Sequence, residues 1–298
     1  MRHILRVQVL GAVPEIEISS EEFNELHTAH RVLFAGVALE EKFELLLSNY
    51  VDLEKDLLSL SVDQMVRGEI SYERLFDART TLNRKLINLL TTARLYVDHL
   101  PHQTNEIIGN ARQSEVKALL SVEYDSFFEF RFMEALRNYV QHRGFPAHGL
   151  SFPSHWVEGK RKDLVYSVEF SAVRERLSED GVFKKTILAE MPTKVDLKAT
   201  VRFYVECLDR VHQAVRILVT PTIDCAREKI RQTMERYEAV YHMKPLGLAA
   251  LQQDEHGVTL NAVPLLLDWE RIRQELVTRN RALSRLRDRC VSSAIQTS

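Results

Sequence analysis

One short stretch of this chain carries residue types that could do chemistry together. It runs Arg137-Asn138-Tyr-Val-Gln-His142. A histidine moves protons near neutral pH, and an arginine presents a planar fork of donors to a phosphate. At 100° per residue, Asn138 and His142 lie about 40° apart on one helix face, and Arg137 lies about 140° from His142. A long arginine can close that gap by curling over, or a second copy of the site can face it. The combination suits acid–base work on a phosphodiester: histidine takes a proton from a 2′-hydroxyl while arginine steadies charge on the phosphate oxygens. The same residues have a structural reading, in which Arg137 pairs with Glu134 and His142 merely caps a helix.

The element that must position these groups is a helix. Phe128, Phe132, Ala135 and Leu136 recur at spacings of three and four, and Tyr139 and Val140 extend the stripe. The pattern predicts a long helix from Ser114 to His142, with Gly144 as a left-handed stop and Pro146 beyond it. Before it, Ser19 and Ser20 followed by Glu21 and Glu22 open a helix that reaches Leu47 or further. Gly68 interrupts the pattern, and a second helix follows Ser71 up to Leu100-Pro101. After it, Asp196 starts a run to about Tyr241 with a kink at Pro221, and Asp268 to Cys290 reads as an arginine-rich last helix.

Strands are few. Alternation at Ile4, Val7, Val9, Ile16 and Ile18 predicts one or two near the start, and Leu164 to Phe170 with Phe183 to Met191 predicts a hairpin. The fold class is mainly α: an antiparallel helical bundle with a small β-hairpin insertion and short N-terminal strands. Three segments follow, 1–143 with the motif, 144–195 as loop and hairpin, and 196–298 completing the bundle.

The 298 residues, 45% hydrophobic and 28% charged with a net charge of −2, describe a soluble globular chain with no general basic excess. Nucleic acid would need a local patch, and Arg281, Arg285 and Arg289 in the last helix supply one; a solvated face of scattered ion pairs explains them equally. The widely spaced Cys207, Cys225 and Cys290 fit reduced thiols, and no apolar run reaches membrane-spanning length, so a cytoplasmic protein is expected. Asp98-His99-Leu-Pro-His102 could offer metal ligands, but Pro101 breaks the regular face between them; His142, His148 and His155, without a nearby cysteine, read better as polar loop histidines. No P-loop, G-x-G-x-x-G or G-x-S-x-G occurs, and no cofactor is expected.

The R-N-x-x-x-H spacing at the end of a long helix resembles the R-x(4–6)-H motif of the HEPN superfamily, where a polar residue often follows the arginine, as Asn138 does here. The resemblance covers the helices from about Ser20 to His142 and the long helix after Asp196. It implies a metal-independent endoribonuclease of toxin–antitoxin or defence systems, acting on RNA as a homodimer and restrained by an antitoxin or other regulatory protein. Arg137 would bind phosphate, His142 would transfer protons and Asn138 would orient the site. Two departures stand out. Gly144 replaces a tyrosine common two residues after the histidine, and about fifty residues intervene before the next long helix. A catalytically inactive HEPN-like scaffold that binds a partner protein or nucleotide is the alternative.

Overall fold

A computed structural model describes residues 1–9, 11, 13–68, 71–109, 112–158, 162–179, 181–242 and 244–292. The chain is mainly helical, with small antiparallel sheets. Three helices dominate: α1 (Ser20–Arg67), α2 (Tyr72–Ile108) and a 45-residue helix introduced below. Ser19 caps α1 as its sequence predicts, Oγ accepting from the amide of Glu22 at 3.0 Å. α2 runs on through Pro101, seven residues past the expected end; Gly109, at φ +79°, closes it with its amide on the Asn105 carbonyl.

The expected single helix from Ser114 to His142 is two helices, α3 (Gln113–Ser126) and α4 (Phe128–His142), divided at Phe127, whose backbone is extended. Next come β3 (Gly149–Ser151), β4 (Ser154–Val157), β5 (Asp163–Tyr166), β6 (Glu169–Val173), α5 (Arg174–Ser178), α6 (Lys185–Glu190) and β7 (Lys194–Asp196). β4 pairs with β5, and β6 lies between β3 and β7. The hairpin partner read into Phe183–Met191 is therefore wrong: that stretch holds α6, which buries Ile187, with Phe183 buried just before it. The long helix α7 (Leu197–Tyr241) matches its expected span and continues through Pro221. β1 (Arg2–Val7) and β2 (Glu15–Glu17) precede α1, β8 (Leu248–Gln253) and β9 (Thr259–Pro264) follow α7, and α8 (Asp268–Arg279) comes last among the helices.

The chain divides into two compact units, and each long helix contributes residues to both. The first unit takes residues 1–44, 98–117 and 213–281. It holds the sheet β2-β1-β8-β9, every pairing antiparallel. Tyr237 and Tyr241 of α7 donate to the carbonyls of Pro14 and Glu15, tying helix to sheet. α1 and α7 approach closely at Gly36, where a Cβ would stand 3.0 Å from Ile223 Cδ1. A buried ion pair joins Glu40 to Arg216, whose Nη1 also donates to the Asn280 carbonyl at 2.7 Å.

The second unit takes 45–97, 118–212 and 282–298, of which the last six residues lie outside those described. Its core is apolar side chains at helical spacing: Leu82, Leu86, Leu89, Ala93 and Tyr96 on α2, Phe132, Met133 and Leu136 on α4, Tyr204, Val205 and Leu208 on α7. Each buried Leu, Val, Phe or Met among them contributes roughly 1.5–3 kcal/mol relative to exposure.

The arginine-rich last helix stops early. α8 ends at Arg279, and the chain from 282 to 289 is irregular apart from one 3₁₀ turn at Leu286–Asp288. Tertiary hydrogen bonds replace the helical ones. Asp209 accepts from the Leu283 amide, Glu206 from the Leu286 amide, and Arg202 donates to the Arg289 carbonyl, all from one face of α7.

Candidate phosphate site at the end of α4

The elbow between α3 and α4 sets this site. With no proline or glycine at the break, side chains hold it. Arg131, one turn into α4, donates from Nη1 to the Tyr124 and Asp125 carbonyls, both at 2.9 Å, and from Nη2 to Glu190 at 2.6 Å. It satisfies acceptors that the end of α3 leaves without helical partners. Phe127 packs edge-on against Phe203, ring centroids 4.9 Å apart, which fixes the extended residue.

Along α4 one face is buried through Phe130, Phe132, Met133, Leu136 and Tyr139. A polar stripe runs beside it at spacings of three and four: Arg131, Glu134, Asn138 and His142. Glu134 is spoken for, accepting from the Tyr204 hydroxyl at 2.7 Å and from Arg94 at 3.3 Å. Burial, with the Glu134 carboxylate beside it, pushes the Tyr204 hydroxyl well above the usual phenol range, so it stays protonated and donates.

Arg137 does not pair with Glu134. Its Nη1 donates to Oδ1 of Asn138 at 2.9 Å, and its Nε is buried with no hydrogen-bond partner. His142 is exposed in the last turn. The helix ends at Arg143, whose amide bonds the Tyr139 carbonyl at 2.9 Å. Gly144 is not the left-handed stop its type suggests. Its φ is not positive, and a Cβ there would stand 3.0 Å from the Tyr139 hydroxyl oxygen, so the glycine makes room for Tyr139.

Asn138 and His142 line a cavity of about 220 Å³. The segment Val182-Phe183-Lys184 and Tyr124, at the end of α3, complete its walls, with Arg131, Glu134 and Tyr139 also lining it. Phe183 is buried and packs against Phe132 and Tyr139, centroids 6.0 and 5.9 Å away, which pins Lys184 beside the polar stripe. Lys184 Nζ donates to the Tyr124 hydroxyl at 2.7 Å and lies 5.3 Å from that ring's centroid. Among the described residues it has no ion pair. Arg131 is offset by Glu190 and Glu134 by Arg94, so the uncompensated charge on these walls is the Lys184 ammonium. Arg137 is not among the lining residues.

No family model, curated protein or solved structure matches this chain. The site therefore rests on its own geometry.

Of the sequence candidates, the structure brings Asn138 and His142 together and leaves Arg137 behind them, touching Asn138. Lys184, Tyr124 and Arg131 were missed. Arg131 could have been found from the three-and-four spacing that links it to Asn138 and His142; Lys184 and Tyr124 had no local signal. Arg281, Arg285 and Arg289 are exposed, but not on one helix. Arg281 donates to the Thr278 carbonyl, and Arg285 has left-handed backbone at φ +52°. The expected basic helix fails because the Leu283 and Leu286 amides bond to Asp209 and Glu206 and not to helical carbonyls.

The other histidines do not converge. His148 is half-buried, and its Nδ1 accepts from the Val173 amide at 3.2 Å. Burial, and then the charge of Arg176, lower its pKa below the usual histidine value. His155 is exposed, and His102 pairs with Glu106 at 3.3 Å. Among the described residues, no group of three or more His, Cys, Asp or Glu side chains is placed to hold a metal ion. Cys207 is buried, with Arg210 Nη2 at 3.1 Å from its sulfur, and burial pushes its thiol up, away from reactivity. No described helix is long and apolar enough to cross a membrane.

Proposed function

We propose that the end of α4 is a HEPN-like ribonuclease site that cleaves RNA without a metal ion. In this reading α1, α2, α4 and α7 form the family's antiparallel bundle, residues 144–195 are an insertion, and the protein works in the cytoplasm as a homodimer under an antitoxin or other regulator. The observation that carries it is the placement of Asn138 and His142 on one wall of a cavity with surplus positive charge. His142 would take the proton of a ribose 2′-hydroxyl while that oxygen attacks the neighbouring phosphorus. The 5′-oxygen bond breaks, the leaving oxygen takes a proton from water, and the products are a 2′,3′-cyclic phosphate and a 5′-hydroxyl end. Asn138, steadied by Arg137, would orient the phosphate.

The test is cleavage of total cellular RNA in EDTA by wild type and by His142→Ala. The reading expects cleavage by wild type and a loss of about 10²- to 10⁴-fold in the variant. An inactive wild type, or an equally active variant, sinks it. One observation favours a second reading, a scaffold that binds a nucleotide or partner without cutting: Arg137 is outside the cavity lining and its Nη1 is taken by Asn138. That reading expects binding without cleavage.

A further inference from the structure

We infer that the phosphate-binding cation of this site is Lys184, held in place by Tyr124, and that Arg137 acts only as a positioning residue behind Asn138. The inference rests on reading the cavity as a phosphodiester site and names the group that would take the phosphate. Lys184 is the lining cation with no carboxylate partner among the described residues; Arg131, the other, is occupied by Glu190 and two carbonyls. An ammonium beside an amide, a phenol hydroxyl and an imidazole makes a donor-rich wall for an anion. At about 220 Å³ the cavity is below the usual 300–1,000 Å³ of small-molecule pockets, which matches one phosphate group better than a whole nucleotide. The Tyr124 hydroxyl fixes the lysine head. Its ring packs edge-on against the buried Phe130, centroids 6.4 Å apart, so the hydroxyl is itself held in place. Arg137 contributes through its bond to Asn138 Oδ1, which leaves the Asn138 amide nitrogen available as the donor.

The experiment is titration of the purified full chain with inorganic phosphate, and with a short single-stranded DNA, which lacks the attacking 2′-hydroxyl and so cannot be cleaved. Wild type, Lys184→Gln, Lys184→Arg, Tyr124→Phe, Arg137→Gln, Asn138→Ala, the Arg137→Gln/Asn138→Ala double variant and His142→Ala are compared, each first shown to melt like wild type. Lys184→Gln should lose at least tenfold in phosphate affinity and flatten the salt dependence of oligonucleotide binding by roughly 0.7 in log–log slope, one contact fewer. Lys184→Arg should restore most of both, and Tyr124→Phe should lose less than Lys184→Gln. Arg137→Gln should weaken binding only while Asn138 is present, so that adding it to Asn138→Ala changes nothing further. Wild-type affinity in Lys184→Gln, or no phosphate binding by wild type, overturns the inference. Lys184-dependent binding without any RNA cleavage upholds this inference and removes the nuclease reading. His142-dependent cleavage that ignores Lys184 does the reverse.

Discussion

Replacing Arg131 by methionine tests whether one guanidinium makes the elbow between α3 and α4. Methionine keeps much of the aliphatic stem and removes three charge-assisted hydrogen bonds. The bond to the half-buried Tyr124 carbonyl is worth about 1.5–2 kcal/mol, since hydrogen bonds to charged groups run higher than neutral ones. The bond to the exposed Asp125 carbonyl is worth about 0.5 kcal/mol, because water replaces it. The Glu190 partner is 44% exposed, so that ion pair adds about 0–1 kcal/mol. The total is a loss of about 2–3.5 kcal/mol, read by urea unfolding at pH 7 with the m-value unchanged. Arg131→Lys keeps the charge without the fork and should recover about half. Because Tyr124 sits in the last turn of α3 and positions Lys184, phosphate affinity should fall along with stability. A change under about 0.5 kcal/mol would show that aromatic packing at Phe127 makes the elbow without Arg131.

Two further outcomes follow from buried charge. His148 is held below its usual pKa, so above about pH 6.5 it is neutral in both folded and unfolded chains. As pH falls below that value the unfolded chain binds the proton first and stability is lost; His30, lowered by burial and by His27, acts in the same direction. Thermal melts from pH 7.5 to 5 should show His148→Asn flattening part of the decline, and an unchanged slope counts against the assignment. In the first unit, Arg216→Met should cost about 2–4 kcal/mol, because Glu40, 1% exposed, loses the guanidinium that bonds both of its oxygens while Arg273 still faces it. Adding Glu40→Leu should recover most of that loss in chemical denaturation; a double variant no better than the single one refutes the argument.

Local rules reached far into this fold. The Ser19 cap, the span of α7 and the strands around Ile4 and Ile16 follow from side-chain types within a few residues of each other. The failures share a different cause. The α3–α4 break, the early end of α8 and the helix in place of a strand near Ile187 are decided by partners distant in sequence. Arg131 reaches Glu190, and Asp209 and Glu206 take amides 74 and 80 residues further on. The site divides the same way. Asn138 and His142 are four residues apart on one helix and could be seen together. Lys184 meets Tyr124 across 60 residues, and only the packing of Phe183 on α4 puts it there.

The segment from 282 to 289 is gripped mostly by its main chain, since Asp209, Glu206 and Arg202 bond amides and a carbonyl that any residue except proline could offer. Side-chain identity matters at Leu286, which is buried, and at Arg287, whose guanidinium lies 4.0 Å from the centre of the Phe203 ring. Position 285, with left-handed backbone, favours glycine, asparagine or aspartate over β-branched residues, and the remaining positions are less constrained. Over evolutionary time such a segment can exchange its exposed arginines for other residues and keep its path, so its basic character is a property selection can adjust separately from the fold.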